Sequence, residues 1–122
     1  MTTDDDHFRE IKVTCVPQVE TVRFYEETRQ HVLSEHEEIS RTFIRLPSFD
    51  DAVDKALSGP THVEQSYNNS YVFVDKESTN RDGVPLRVPV KMIANSTSGY
   101  VKTVFFGTSE VEGRLVYQKA KS

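Results

Sequence analysis

The sequence predicts an α+β fold in which two N-terminal helices pack on a twisted antiparallel β-sheet of four to five strands. Three observations predict it. Residues between positions 25 and 43 place their less polar side chains at helical spacing, and residues 48–60 form a short amphipathic segment with start and stop signals. From Thr61 onward, apolar residues alternate in period two between clusters of turn-forming residues. With 122 residues the chain is long enough for one core and too short for two. Residues 1–9 read as an acidic flexible tail and residues 10–122 as one domain, with no internal repeat and no linker.

The first element is a half-buried strand, because Ile11, Val13 and Cys15 alternate with Lys12, Thr14 and Val16 before Pro17 stops the run. A short extended piece, VETVRF, follows. From about Tyr25 the spacing of Thr28, Val32, His36, Ile39 and Phe43 predicts a helix with one face toward the core. Glu26, Arg29, Gln30, Glu37 and Arg41 lie on its opposite side, and a break or kink is expected near Glu37. The segment SFDDAVDKALSGP carries its own boundaries. Ser48 is placed to cap Asp51, acids occupy the first turn, and Gly59 and Pro60 close the end, leaving Phe49, Val53, Ala56 and Leu57 as the apolar face.

The strands then follow one another. THVEQSY and SYVFVDK flank Asn68 and Asn69, a pair that tolerates the positive φ of a tight hairpin. ESTNRDG leads to VPLRVPVKMIA, NSTSG to YVKTVFF, and GTSEVEG to RLVYQ, so the expected arrangement is an antiparallel meander. Pro89 lacks a ladder donor, which requires an edge, a bulge or a strand end at that point.

Composition narrows the function classes. Hydrophobic residues make up 36% of the chain, a globular proportion, and the N-terminus MTTDDDHFRE has no apolar signal core. No stretch approaches membrane-spanning length, so a cytoplasmic protein with no membrane contact is expected. The net charge of −4 argues against general nucleic-acid binding, but it is unevenly distributed. Residues 1–40 hold ten acids against four bases, whereas residues 84–122 hold two acids against six bases. A locally basic sheet face can still dock a phosphate backbone.

The histidines decide whether catalysis is expected. Two zinc ligands on one helix need i,i+4 spacing, but His31 and His36 differ by five positions and so point about 140° apart. Cys15, His7 and His62 show no metal spacing either, and neither a metal nor a cofactor is expected. Cys15 reads as a small buried strand residue. His36 falls in register with Val32 and Ile39, which suits a histidine packed on the core as well as a functional one. His31 sits at the border of that face, with Glu27 and Glu35 four residues to either side, where a surface ion pair is the simpler account.

The order of segments adds what the single residues do not. VRFYEETRQHVLSEHEEI, a capped helix ending ALSGP, then THVEQS, YVFV, PVKMI and GYVKTVFF together resemble the phage-type nucleases of the barnase, EndoU, colicin and RelE-like superfamily. The resemblance runs from about Val22 to Phe106. It departs from the family at Glu37, where a proline commonly follows the second histidine, and in the acidic overall charge.

The resemblance implies metal-independent endoribonuclease activity of toxin or phage-effector type, with RNA (tRNA or mRNA) as substrate and a cognate antitoxin or inhibitor protein as a further partner. Cleavage by 2′-hydroxyl attack needs a base, an acid and groups that hold the phosphorane charge. Histidine is the side chain that exchanges a proton nearest physiological pH, which suits His31, with His36 in support. Lys91 and Lys102 stand on neighbouring strands and Thr103 occupies the family's v-x-T position, so these three are expected to engage the phosphate; Arg114 and Tyr117 on the last strand are further candidates. Strand alternation puts Thr103 and Lys102 on opposite sides unless the strand bulges. A non-catalytic binding or regulatory module on the same scaffold, engaging a basic protein through the acidic N-terminal half, is the alternative.

Overall fold

In a computed structural model of the protein, the residues described are 8–43, 46–107 and 114–119, without the side chains of residues 46 and 47. Among them, the chain runs β1 (Phe8–Lys12), β2 (Thr21–Tyr25), α1 (Glu26–Glu35), α2 (Glu37–Thr42), α3 (Leu46–Ser58), β3 (His62–Ser66), β4 (Ser70–Thr79), β5 (Pro85–Met92), β6 (Ser98–Val101), β7 (Phe105–Phe106) and β8 (Arg114–Gln118). These strands form one mixed sheet in the order β1-β2-β6-β5-β4-β3-β8, with β7 continuing beside β5 past the end of β6. None of the described helices is long and apolar enough to cross a membrane.

One face of the sheet carries the helices. Val22 and Phe24 of β2, Val101 of β6, Leu86, Val88 and Val90 of β5 and Phe73 of β4 form it, each no more than 2% exposed. Val32 of α1, Ile39 of α2 and Phe49, Val53, Ala56 and Leu57 of α3 complete the same core. Burying a side chain such as Phe49 or Leu57 contributes roughly 1.5–3 kcal/mol before ordering costs are subtracted. Gly99 of β6 lies in this face between Val22 and Met92. A Cβ there would stand 2.8 Å from both the Lys91 carbonyl and the Met92 sulfur, so only glycine fits.

The helical pattern resolves into two helices rather than one. The break falls at His36, whose backbone (φ −110°, ψ 84°) ends α1 and begins α2. Its N–H donates to the Val32 carbonyl at 2.9 Å and its own carbonyl accepts from Ile39 N–H at 2.9 Å, so both helices are terminated by backbone bonds. The Leu33 carbonyl takes the Ser40 hydroxyl at 2.5 Å. Arg29, expected on the solvent face, is buried instead. Its guanidinium bonds Asp50 of α3 at 2.7 Å and Glu26 at 3.2 Å, fastening α1 to α3, and the Asp50 hydrogen bond raises the Arg29 pKa above its ordinary value.

Three further expectations need correction. The helix predicted from Ser48 begins at Leu46, which places Ser48 within its first turn; Pro47 is compatible with that start because its fixed φ suits the first turn. The first strand runs over Phe8–Lys12, and Cys15 sits in the following loop, half-buried, with its thiol pKa raised by burial. The sheet is larger than four to five strands and is not purely antiparallel. β2 pairs with β6 in parallel, Arg23 opposite Tyr100, because the chain leaves β2 into the helices and returns through the hairpins from the far side. The hairpin turns follow the sequence reading: Asn68 and Asn69 both have φ of 58°.

Candidate active site

The strand break opposite Pro89 organises the site. Pro89 has no N–H to give, and the run YVKTVFF divides there into β6 and β7, held across the gap by Lys102 N–H donating to the Pro89 carbonyl at 2.8 Å. As strand alternation requires, the two neighbours point to opposite sides: Lys102 lines a cleft on the outer face, while Thr103 places its hydroxyl 3.4 Å from His36 Nε2.

The cleft, of about 610 Å³, is lined by the start of α1 and by residues at the ends of β2, β5 and β6. Glu27, Thr28 and His31 line it from the first turns of α1, where i and i+4 spacing puts Glu27 and His31 on one face. Tyr25 at the end of β2, Tyr100 and Lys102 at the end of β6, and Ile93 beyond β5 line it from the sheet. His31 and Lys102 are both exposed, open to a substrate without rearrangement. His36 is half-buried at the kink between α1 and α2.

Two of the seven residues singled out from sequence, His31 and Lys102, line this cleft, and His36 and Thr103 contact each other outside its lining. The other three do neither. Lys91 lies opposite Tyr100 on the outer face, but its ammonium is donated to the Asn68 carbonyl of the β3–β4 turn. Arg114 and Tyr117 belong to β8, separated from β6 by β5, β4 and β3, roughly 19 Å at the usual strand spacing. Both are corrected out of the site by the crossover that pairs the last strand with β3 rather than with β7. Among the described residues, no group of three or more His, Cys, Asp or Glu is placed to hold a metal.

Sequence reasoning missed the walls of the cleft. Tyr100 precedes Lys102 by two, so period-two alternation alone would have put them on one face; Glu27 could have been paired with His31 by helical spacing. It also missed a buried polar network elsewhere on the outer face. Glu64 accepts from Arg87 Nη2 at 2.7 Å through one oxygen and lies 2.8 Å from His62 Nε2 through the other, the three side chains being 11%, 4% and 14% exposed. Both carboxylate oxygens are already engaged and Arg87 is almost sealed from solvent, an arrangement suited to holding β3 and β5 across β4 rather than to meeting a substrate. Compared with protein-family models, with curated proteins and with solved structures, the chain matches none.

Proposed function

We propose that this chain is a small metal-independent endoribonuclease of toxin or phage-effector type, cleaving tRNA, mRNA or another structured RNA in the cytoplasm. The observation that carries the reading is the convergence of His31 and Lys102 on one open cleft, with Glu27 on the same wall. In the reaction the 2′-oxygen attacks phosphorus, its proton goes to a base, the P–O5′ bond breaks and an acid protonates the departing 5′ oxygen. Glu27 and His31 supply the two proton-transfer groups at i and i+4, and Lys102 neutralises charge on the phosphorane oxygens. His36 and Thr103 are positioning residues that fix the end of α1 against the strand break.

The test is incubation of the purified chain with total RNA in EDTA, beside His31→Ala and Glu27→Gln. Discrete fragments with 2′,3′-cyclic phosphate ends are expected, reduced by roughly two to four orders of magnitude in His31→Ala. Intact RNA from the folded parent overturns the reading. It would favour the second one, a binding module whose exposed Glu35, Glu37 and Glu38 around the α1–α2 kink engage a basic protein, including an antitoxin or inhibitor.

A further inference from the structure

We infer that the outer face of β1, β2 and β6 is a stacking platform for single-stranded RNA that feeds the cleft, an inference that rests on the ribonuclease reading for its function but not for its binding. Three aromatic side chains occupy this face on three adjacent strands: Phe8, Tyr25 and Tyr100. Phe8 and Tyr25 are register partners with ring centroids 5.2 Å apart, and Tyr100 stands beside Arg23 on the next strand. Phe8 and Tyr100 are 39% and 37% exposed, although large apolar rings on a sheet are ordinarily covered.

Arg23 joins the rings into one surface. Its guanidinium lies 5.0 Å over the centroid of the Phe8 ring and donates to the Tyr25 hydroxyl at 3.2 Å, so the set is held in place before any ligand arrives. Such planes stack on bases irrespective of sequence. The charges suit the same ligand. By strand alternation and cleft lining this face carries Lys12, Arg23 and Lys102 against Glu10 and Glu27, with Lys91 beside it on β5, a local cationic excess on a chain whose net charge is −4.

The rings choose between nucleic-acid forms. In a duplex the base faces are hidden by stacking and only edges and phosphates are presented, whereas an unpaired strand can lay its bases on exposed rings. Tyr25 and Tyr100 belong both to the platform and to the cleft lining, so a strand stacked on them passes its phosphates toward Lys102 and its sugars toward His31.

Fluorescence anisotropy with a 2′-O-methyl oligoribonucleotide of about ten nucleotides tests this on the unaltered chain, because such a strand binds but cannot be cut by 2′-hydroxyl attack. The single strand should bind at least tenfold more tightly than the same sequence as a duplex. Tyr100→Leu, which keeps apolar bulk and removes the ring, should weaken single-strand binding roughly tenfold. Lys102→Met should reduce the slope of log affinity against log salt by about one phosphate contact. Equal affinity for duplex, unchanged binding in a folded Tyr100→Leu, or no binding of either form overturns the inference. Cleavage of natural RNA is read separately. Cutting that persists while Tyr100→Leu binds normally removes the platform and spares the nuclease; binding without cutting does the reverse.

Discussion

Removing the Glu64 carboxylate should be among the most damaging single changes outside the apolar core. Arg87 Nη2 approaches Glu64 at 2.7 Å with side-chain exposures of 4% and 11%, and Arg87 Nε is buried with no hydrogen-bond partner. In Glu64→Ala the guanidinium keeps its charge, loses its counter-ion and cannot reach bulk water from its place on the central strand β5. Breaking a buried pair in this way costs about 3–5 kcal/mol. For a domain of this size that is a large part of a total of about 5–15 kcal/mol and lowers Tm by roughly 10–20 °C. Replacing both partners, Glu64→Leu with Arg87→Met, removes the stranded charge and should recover most of the loss. Urea unfolding followed by far-UV circular dichroism measures all three; tyrosine emission serves as a second probe because the chain has no tryptophan. A loss below about 1 kcal/mol in Glu64→Ala would show that water reaches Arg87 and that the network is not buried.

The two helix histidines should separate: His31→Ala, at an exposed position, stays within about 0.5 kcal/mol of the parent and, on the nuclease reading proposed above, loses cleavage, whereas half-buried His36→Ala loses about 1 kcal/mol through its Thr103 contact, as thermal melts beside a cleavage assay would record. Gly99→Ala forces a Cβ against the Lys91 carbonyl and should cost about 1–3 kcal/mol while shifting Tyr100, so that stability and RNA affinity fall together in denaturation and anisotropy measurements. Glu77 has its pKa lowered, first by the Lys55 hydrogen bond, so its contribution is present above the unfolded carboxylate value and fades as pH falls through the lower folded one. Lys55→Met should therefore flatten the acid limb of a stability–pH profile, and an unchanged limb would remove the pair from that role.

How far the sequence was legible follows from the range of the interactions involved. Local signals were clear: Asn68 and Asn69 announced their turn, Gly59 ended α3, and Phe49, Val53, Ala56 and Leu57 gave its buried face, because each rests on neighbours within a few residues. Pro89 was legible as a disruption, and the opposite sides of Lys102 and Thr103 followed from alternation, but the division of YVKTVFF into β6 and β7 depends on the strand that faces it. Arg29 misled because its acidic partner Asp50 lies on another helix, and periodicity registers polarity without registering partners. The Glu64 network and the parallel β2–β6 pairing were not legible, since both join segments distant in sequence.

The parallel pairing has a consequence for when the site comes into being. Thr21 and Ser98, whose hydroxyls meet at 2.9 Å where β2 meets β6, are 77 residues apart, and closing a loop of that length costs about 4 kcal/mol of chain entropy. The hairpins β3–β4 and β4–β5 close far shorter loops and can form first. The cleft needs α1, which follows β2, set against the end of β6, so it has no walls until that late contact is made. On the nuclease reading proposed above, activity should arrive with the slowest refolding phase, because a nascent or partly folded chain carries His31 and Lys102 without bringing them together.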